Sequence, residues 1–385
     1  MAVITQIEDL RQQAKRRVAK AIFGYVDSGS YTEGTMRANS SDLGAIHLRQ
    51  RVAINVDARN TATTLVGQDV SMPVVLAPVG MTGLNHGDGE ILAAQAAEEF
   101  GVPYTLTTMS ICSIEDVAAA TSKPFWFQLY VMRDRAFTAD LIARAKAAKC
   151  SALVLTLDLQ ILGQRHADLR NGLTVPPRPT LANLADMLSK PAWCASVLMG
   201  KRKTFGNLAG HVKEAKGLST LMAWVGQQFD PTLNWDDVEW IRRQWGGKLI
   251  LKGVLDVEDA RLAARSGADA IVVSNHGGRQ LDGALSSIRA LPDVLEAVQA
   301  SGSKMEVWMD GGIRSGQDVL KACAMGARGV MIGRSYVYGL GALGKPGVTL
   351  ALDIIRKELD VSMALSGIRD LREVNRSHVL LPRQW

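Results

Sequence analysis

The chain has 385 residues, of which 47% are hydrophobic and 21% are charged, and its formal net charge is +6. This length allows two domains or one large α/β barrel with insertions, and the composition is ordinary for a globular enzyme. The moderate positive charge favours an anionic small molecule or an acidic membrane surface and is too weak to indicate nucleic acid. The four cysteines lack metal-like spacing, which favours a reduced cytosolic compartment. We expect no secretory signal and no membrane-spanning segment.

Residues 1–60 are predicted to form a helical cap. Apolar residues recur at helical spacing between positions 7 and 18, in a basic background. The segment Phe23–Thr35 mixes aromatic residues with glycines, and we expect it to interrupt any helix. Tyr25 in this segment is either an amphipathic core residue or a hydroxyl that points into a site.

From residue 74 onward, short apolar strands alternate with helices. The predicted strands are Val74–Pro78, Val102–Thr107, Pro124–Tyr130, Ala152–Asp158, Lys248–Gly253, Asp269–Ser274, Glu306–Asp310 and Arg328–Gly333. The predicted helices between them are Gly87–Phe100, Asp116–Ala120, Thr138–Lys149, Val257–Ser266 and Gln317–Met325, with amphipathic helices at the end. Eight such strands predict an α/β fold, a (β/α)8 TIM barrel. An open doubly wound sheet is the alternative, but the first strand–helix turn lacks GxGxxG.

Residues 159–247 contain no clear strand and are predicted to form an insertion or lid loop after the fourth strand. Its segment Trp193–Met199 is apolar and has basic flanks at Lys190 and at Lys201, Arg202 and Lys203. An apolar segment with basic flanks is typical of docking on an anionic membrane surface. The alternatives are a lid helix over the barrel mouth or a partly disordered loop.

Nearly every predicted strand ends at polar or glycine residues, and the first ends at Pro78, Val79 and Gly80. The residues at the strand ends form one set. They are Pro78, Val79 and Gly80; Thr107; Gln128 and Tyr130; Thr156, Asp158 and Arg165; Lys252; Ser274, His276 and Arg279; Asp310, Gly311, Gly312 and Arg314; Gly333 and Arg334. Catalytic groups of such barrels lie at the strand C-termini, so these residues are predicted to surround one site.

Two features within this set indicate chemistry. His276 can exchange a proton near neutral pH, and Asp158 is a candidate to fix its tautomer. Arg279 and Arg165 are candidates to grip an anionic substrate. The glycines and arginines after strands seven and eight resemble a phosphate cradle.

The stretch SNHGGRQLD at 274–282 resembles the FMN-dependent α-hydroxy-acid dehydrogenase and oxidase family, as do LVLTLD…GQR, WFQLY, the KG after strand five and DGGIR…IGR. The resemblance extends from Tyr25 to the C-terminal helices. The stretches MPVVLAPVG, FTADLIARAKAA and FDPTLNWDDVEWIR are most similar to the bacterial respiratory L-lactate dehydrogenase branch. The resemblance to the family implies a single FMN hydroxy-acid dehydrogenase domain over residues 1–385.

This resemblance implies a role for each candidate residue. His276 matches the active-site base and Asp158 its partner, while Arg165, Arg279, Tyr25 and Tyr130 match residues at the substrate. Lys252 matches the lysine near flavin N1 and O2, where positive charge stabilises the reduced ring. The other residues that match FMN-contacting positions of the family are Pro78, Val79, Gly80, Thr107, Gln128, Thr156, Ser274, Asp310, Gly311, Gly312, Arg314, Gly333 and Arg334. No metal is implied.

The implied reaction is oxidation of an L-2-hydroxy acid, L-lactate to pyruvate, with electrons passed to quinone or another acceptor. Gly80 stands where oxidases of the family usually carry alanine, and Met109 where glycolate oxidases carry tryptophan. The implied setting is peripheral, on the cytoplasmic side of the inner membrane or in the cytoplasm, as a homo-oligomer and commonly a tetramer.

Four other functions are weighed against this one. An oxygen-dependent hydroxy-acid oxidase and a mandelate-type dehydrogenase belong to the same family. An FMN-linked isomerase acting on a diphosphate would use the phosphate cradle but has no use for paired arginines. A catalytically silent flavin protein at a membrane would not need His276 and Asp158 together with both arginines.

Overall fold

The computed structural model describes residues 3–173, 177–178, 180–209, 211–212, 218–383 and 385. The chain begins with a cap of three helices, α1 (Ile7–Arg17), α2 (Lys20–Asp27) and α3 (Gly34–Ala45). Three short strands follow, β1 (His47–Leu48), β2 (Thr63–Leu65) and β3 (Gln68–Val70). Helix α1 buries Ile7, Leu10 and Ala14 on one face, as their spacing predicts.

A parallel barrel forms the centre of the fold. Its strands are β4 (Val74–Leu76), β5 (Thr105–Thr107), β6 (Trp126–Leu129), β7 (Ala152–Thr156), β8 (Lys248–Val254), β9 (Ala270–Val273), β10 (Glu306–Asp310) and β11 (Val330–Ile332). The strands pair in the order β4-β11-β10-β9-β8-β7-β6-β5. A bridge between Leu76 and Tyr104 joins the two ends of this order. The predicted (β/α)8 barrel is therefore confirmed.

The strands are apolar on both faces because one face packs into the barrel interior and the other packs against the surrounding helices. Side chains that point inward fill the barrel with a cluster around Trp126 and Trp308, whose rings stack at 5.4 Å. The hairpin of β2 and β3 adds Leu65 and Val70 to this cluster. The barrel interior is thus a packed core, and sites in such barrels lie at the end where the strand C-termini meet.

Helices surround the barrel. They are α4 (Thr82–Asn85), α5 (Gly89–Phe100), α6 (Ile114–Ala120), α7 (Arg135–Ala147), α12 (Trp235–Trp245), α13 (Val257–Arg265), α14 (Ser287–Ala300), α15 (Gly316–Ala324), α16 (Arg334–Leu343) and α17 (Lys345–Leu365). The capping box that the sequence indicates at Ser113–Asp116 is confirmed, but α6 begins at Ile114 and not at the predicted Asp116. Ser113 is the N-cap, and its side chain accepts the N–H of Asp116, which lies in the first turn.

The expectation that Phe23–Thr35 interrupts any helix is also wrong for its first half. Helix α2 continues to Asp27 and buries Phe23 and Val26. The helix packs closely against the insertion at Gly24. A Cβ at this position would lie 2.6 Å from Asn171 Nδ2, so the close contact requires a glycine. The turn itself occupies only residues 28–33, where Tyr31 and Glu33 have positive φ.

The described part of the insertion after β7 is helical. It contains α8 (His166–Arg170), α9 (Leu181–Leu188), α10 (Pro191–Met199) and α11 (Leu218–Gln228) before α12 returns to the barrel. Residues 174–176, 179, 210 and 213–217 of the predicted insertion lie outside the described residues. At the C-terminus, η1 (Leu371–Glu373), η2 (Arg376–His378) and β12 (Val379–Leu380) follow, and β12 pairs antiparallel with β1. Within the described ranges, no helix has the length and apolarity to cross a bilayer.

Candidate active site

A cavity opens where the barrel strands end. Its empty space is about 1370 Å³, counting the open mouth. The predicted site residues line it directly, except for Gln128, Thr156, Asp158 and Ser274. Two of these four stand behind a lining residue, since Asp158 contacts His276 and Ser274 contacts Lys252. Residues spread over more than 300 positions of sequence therefore meet around one space.

His276 and Asp158 form a buried pair at the edge of this cavity. Nδ1 of His276 lies 2.9 Å from Oδ1 of Asp158. Burial lowers the pKa of His276 below its usual value, although Asp158 acts in the opposite direction. Burial alone would raise the pKa of Asp158, but the histidine holds it below its usual value. At neutral pH the imidazole is therefore neutral, donates Nδ1–H to a carboxylate, and keeps Nε2 free to accept a proton.

The backbone around this pair is unusual. His276 has φ of +59°, a left-handed conformation that is uncommon for a residue with a side chain. Its N–H donates to Ser274 Oγ at 3.0 Å. A Cβ on Gly253, which has φ of +101°, would lie 2.7 Å from the Asp158 side chain. The strand next to Asp158 therefore needs a glycine for the carboxylate to reach the histidine.

Two arginines converge on Tyr25. The guanidinium carbons of Arg165 and Arg279 lie 5.2 and 4.8 Å from the centre of its ring. Arg279 donates Nη1–H to the carbonyl of Ser28 at 3.0 Å, which fixes it to the cap. Burial, and after it the charge of Arg165, lowers the pKa of Arg279 to about 10. Two cations held this close are typical of a site for an anion.

Asp168 is a residue that the sequence did not single out. Its Oδ2 lies 3.1 Å from Arg165 Nε, three residues earlier in the chain. The signal was an arginine and an aspartate at i and i+3 where a helix begins, a spacing that places both on one face.

Lys252 is buried at the end of β8. Its Nζ lies 2.9 Å from Asp310 Oδ2 and 3.0 Å from Ser274 Oγ. Burial would lower the pKa of this lysine, but Asp310 and Asp158 raise it above its usual value. A fixed positive charge therefore stands at the floor of the cavity.

Three buried polar atoms near this lysine lack partners. They are Gln128 Nε2, Thr156 Oγ1 and Asp310 Oδ1, none of which has a hydrogen-bond partner among the described residues. Thr107 Oγ1 donates to Gln128 Oε1 at 2.6 Å, so the amide nitrogen is the end left free. Buried polar groups are almost always hydrogen-bonded, so these atoms indicate a polar ligand.

Comparison with known proteins identifies the family. The model of the FMN-dependent dehydrogenase family matches residues 14–381. The chain belongs to this family. It is 50% identical over 376 residues to the L-lactate dehydrogenase of Caulobacter sp., covering 97% of this chain and 98% of that protein. It is 44% identical to the L-lactate dehydrogenase of Acinetobacter baylyi, covering 97% of each.

Solved structures give the same family. The monotopic membrane protein (S)-mandelate dehydrogenase superposes with a TM-score of 0.93 at 30% identity, covering 99% of this chain and 100% of that one. A mandelate oxidase with benzoyl-formic acid superposes with a TM-score of 0.81 at 35% identity, covering 98% of each chain. The resemblance found in SNHGGRQLD is therefore confirmed, and FMN is the cofactor.

The unpartnered atoms suit FMN. The isoalloxazine ring carries both hydrogen-bond donors and acceptors on one edge, and the ribityl chain carries hydroxyls. Gln128 Nε2 can only donate, Asp310 Oδ1 can accept, and Thr156 Oγ1 can do both. Lys252 adds a positive charge beside them. The polar floor of this FMN-dependent dehydrogenase therefore has the chemistry that its cofactor requires.

The predicted phosphate cradle has two different parts. Gly311 and Gly312 have φ of +87° and +84°, and a Cβ on Gly312 would lie 2.3 Å from the carbonyl oxygen of Asn39. Gly333 is the N-cap of α16, a ten-residue helix that no side chain of the described residues caps, so its first N–H groups can bind an anion. Arg314 lines the cavity beside them.

Arg334 is used differently from what the sequence indicates. Its guanidinium donates to the carbonyl oxygens of Val26, Gly277 and Ser28, at 2.8–2.9 Å. Its side chain therefore ties the helical cap to the loop that carries His276. What it offers to a phosphate is its charge and its backbone N–H at the start of α16.

The insertion supplies an apolar roof over the cavity, whose individual residues the sequence did not single out. The roof residues are Leu159, Leu162, Phe205, Met222, Val225 and Phe229, with Met109 from the barrel. Phe229 packs edge-on against Tyr130, with ring centres 5.9 Å apart. The signal for α11 was Leu221, Met222 and Val225 at helical spacing, which predicts an amphipathic helix.

Proposed function

We propose that this enzyme oxidises L-lactate to pyruvate with FMN and passes the electrons to quinone or another acceptor other than oxygen. The observation that carries the proposal is the convergence of the His276–Asp158 pair with Arg165 and Arg279 on one cavity. The oxidation of an α-hydroxy acid is supported by the relatives at 44–50% identity, which are L-lactate dehydrogenases. The mandelate enzymes are more distant, at 30–35% identity.

In this proposal the arginines bind the substrate carboxylate. Each guanidinium offers parallel N–H donors that match a carboxylate, and burial excludes competing water. Tyr25 and Tyr130 border the same space and offer hydroxyls to the substrate. The carboxylate is thereby oriented so that the carbon bearing the hydroxyl lies near His276.

The histidine then moves the proton. Nε2 of His276 accepts a proton from the hydroxy acid, and the imidazolium that forms is stabilised by Asp158 at Nδ1. FMN, when bound, would supply the acceptor for the electron pair and for the second hydrogen that the substrate loses.

The proposed cofactor contacts follow the barrel. Lys252, Gln128, Thr156 and Ser274 would hold the polar edge of the ring, and Thr107 orients Gln128. The other proposed contacts are Pro78, Val79 and Gly80 at the ring, Asp310 at the ribityl chain, and Gly311, Gly312, Arg314, Gly333 and Arg334 at the phosphate.

The proposed acceptor rests on Gly80. A Cβ at this position would lie 3.0 Å from Tyr25 Oη, a distance at which the tyrosine has to shift. The glycine therefore leaves Tyr25 in place beside the substrate site, and the family resemblance associates glycine here with dehydrogenases. The test compares turnover of L-lactate with a soluble quinone analogue against turnover with oxygen.

The central experiment uses the colour of the cofactor. L-Lactate added without oxygen is expected to bleach the flavin band of the purified enzyme, with one pyruvate formed per flavin. L-Mandelate is the matched comparison, and a much slower bleaching is expected. Bleaching by mandelate alone would reassign the substrate, and no bleaching by any 2-hydroxy acid would contradict the proposed function.

We also propose that the enzyme docks on the cytoplasmic face of the inner membrane. An apolar patch formed by Leu181, Leu184, Leu188, Leu198 and Met199 lies on α9 and α10, and all of them except Leu184 are 72–87% exposed. Helix α9 has no buried residue at all. Several exposed large apolar side chains on two consecutive helices are typical of membrane attachment.

Fewer residues of the predicted docking segment are available for membrane contact than the sequence indicates. Trp193, expected in the docking segment, is buried, and its indole N–H donates to Leu84 O at 2.8 Å. Lys190 and Lys203 donate to the carbonyl oxygens of Arg16 and Leu198. Apolar insertion is therefore expected to contribute more than charge.

Flotation with anionic vesicles tests this docking. Replacing Leu181, Leu188 and Leu198 by serine is expected to release the enzyme from vesicles, with flavin reduction by lactate unchanged. Leu281→Ser, at another exposed leucine, is the control and is expected to float like the wild type. Equal flotation of the triple variant would contradict the proposal.

A homo-oligomer, commonly a tetramer in the family, is the proposed assembly. A second exposed apolar group contains Val52, Ile54, Val361 and Leu365. These residues come from distant parts of the chain that meet where Arg51 N donates to Leu365 O at 3.0 Å. Light scattering after size-exclusion chromatography measures the assembly, and a monomeric mass would contradict it.

A further inference from the structure

Asp168 is a negative charge that lies behind Arg165, at the cationic end of the cavity. It lies on α8 and is 7% exposed. Its Oδ2 pairs with Arg165 Nε at 3.1 Å, while its Oδ1 has no hydrogen-bond partner among the described residues. The proposed mechanism gives this carboxylate no part in proton transfer.

The positive charge at this end is partly offset by Asp168. Arg165 and Arg279 supply two positive charges around Tyr25, and Asp168 supplies one negative charge that acts on both. Asp168 therefore offsets part of the positive charge that these two guanidinium groups present to a substrate carboxylate. The next cation, Arg334, is engaged with the carbonyl oxygens of Val26, Gly277 and Ser28, so a second carboxylate on the substrate would lack a matched partner here.

The surroundings add to this effect. The roof above the arginines is apolar, with Leu162, Met222 and Phe229 among its residues. Asp158 supplies a further negative charge behind His276. A buried charge without a partner is costly, so a dianion is disfavoured by both the roof and the carboxylates.

We propose that Asp168 sets the charge of the substrate end, and thereby makes the enzyme select hydroxy acids with one carboxylate over those with two. The inference rests on the proposed function, because it takes Arg165 and Arg279 as the carboxylate site. Asp168 is a specificity-determining residue in this proposal, and it acts on the substrate through the charge that it adds beside Arg165.

The test measures binding of two ligands that cannot be oxidised. Propionate carries one carboxylate, and malonate carries a second in place of the methyl group. Their dissociation constants are measured with the FMN-loaded enzyme at slightly alkaline pH, by calorimetry and by the change in flavin absorbance. The measured quantity is the ratio of malonate affinity to propionate affinity.

Asp168→Asn is expected to raise this ratio by about tenfold or more, because charges a few ångströms apart in a partly buried site interact at that scale. Asp168→Glu keeps the charge and is expected to keep the wild-type ratio. Asp140→Asn removes an exposed carboxylate on α7 and is the matched control, with no expected change. Using a ratio removes any general loss of affinity from a displaced Arg165.

Each result decides between the alternatives. An unchanged ratio with both affinities lowered would show that Asp168 only supports the structure, and would overturn the inference while leaving the proposed function intact. Failure of propionate to bind the wild type or to compete with L-lactate would instead count against the carboxylate site itself. If Asp168→Asn does not fold, Asp168→Ser removes the same charge, and misfolding of both variants would also overturn the specificity role.

Discussion

Replacing Asp158 by asparagine tests the pair at the centre of the site. The Asp158 carboxylate is buried and accepts Nδ1–H of His276 at 2.9 Å. Asparagine has nearly the same volume, so the packing around Gly253 is retained and the negative charge is lost. The variant therefore isolates the charge from the shape.

The expected effect follows from two overlapping contributions. A hydrogen bond to a charged group contributes about 1.5–3 kcal/mol. The attraction between an imidazolium and a carboxylate about 4 Å apart is of order 4 kcal/mol at an effective dielectric constant of about 20. Because both describe the same contact, we expect the barrier to rise by roughly 2–4 kcal/mol, which slows flavin reduction about 30- to 1000-fold.

The pH dependence gives a second readout. Burial lowers the pKa of His276 below 6.5, and Asp158 partly opposes this. Removing Asp158 leaves burial and Lys252 unopposed, so the pKa of His276 falls further. Since the neutral imidazole is the base, the acid limb of the rate profile is expected below pH 6.5 in the wild type and at still lower pH in the variant.

Anaerobic stopped-flow reduction by L-lactate, followed at the flavin band across pH, measures both effects. FMN content and the melting temperature are recorded alongside, to confirm that the variant is folded and loaded. Asp140→Asn, an exposed carboxylate on α7, serves as the control. A reduction rate within about threefold of wild type, with an unshifted acid limb, would refute the assigned roles of both residues.

Three further predictions concern single contacts in the same site. His276→Gln is expected to retain FMN while abolishing its reduction by L-lactate, and near-normal stopped-flow reduction would exclude the residue as the base. Arg279→Met is expected to weaken lactate binding by about 10- to 150-fold for each charge-assisted bond lost, at about 1.5–3 kcal/mol per bond, measured from the substrate dependence of flavin reduction. Gly312→Ala is expected to lower the melting temperature and the FMN affinity, because its Cβ would lie 2.3 Å from Asn39 O. Gly302→Ala also needs positive φ but meets open space, so a comparable loss in both variants would assign the effect to backbone strain alone.

Some features of the site depend on tertiary packing that local patterns do not encode. Trp193 belongs to an apolar, basic-flanked segment, yet it turns inward because its N–H reaches Leu84 O. Arg334 follows a glycine in a phosphate-like pattern, yet its side chain binds three carbonyls of segments far away in sequence. In both cases the partner lies far along the chain, so nearby residues carry no information about it.

The sequence by itself determined the barrel and the set of strand-end residues. Strands that are buried on both faces must be continuously apolar, and parallel pairing brings their polar ends to one side. The residues of the apolar roof, the carbonyl partners of Arg334 and the direction of Trp193 depend on tertiary packing. Periodicity reports which face of an element is buried, but the element that buries it is chosen by contacts between segments distant in the chain.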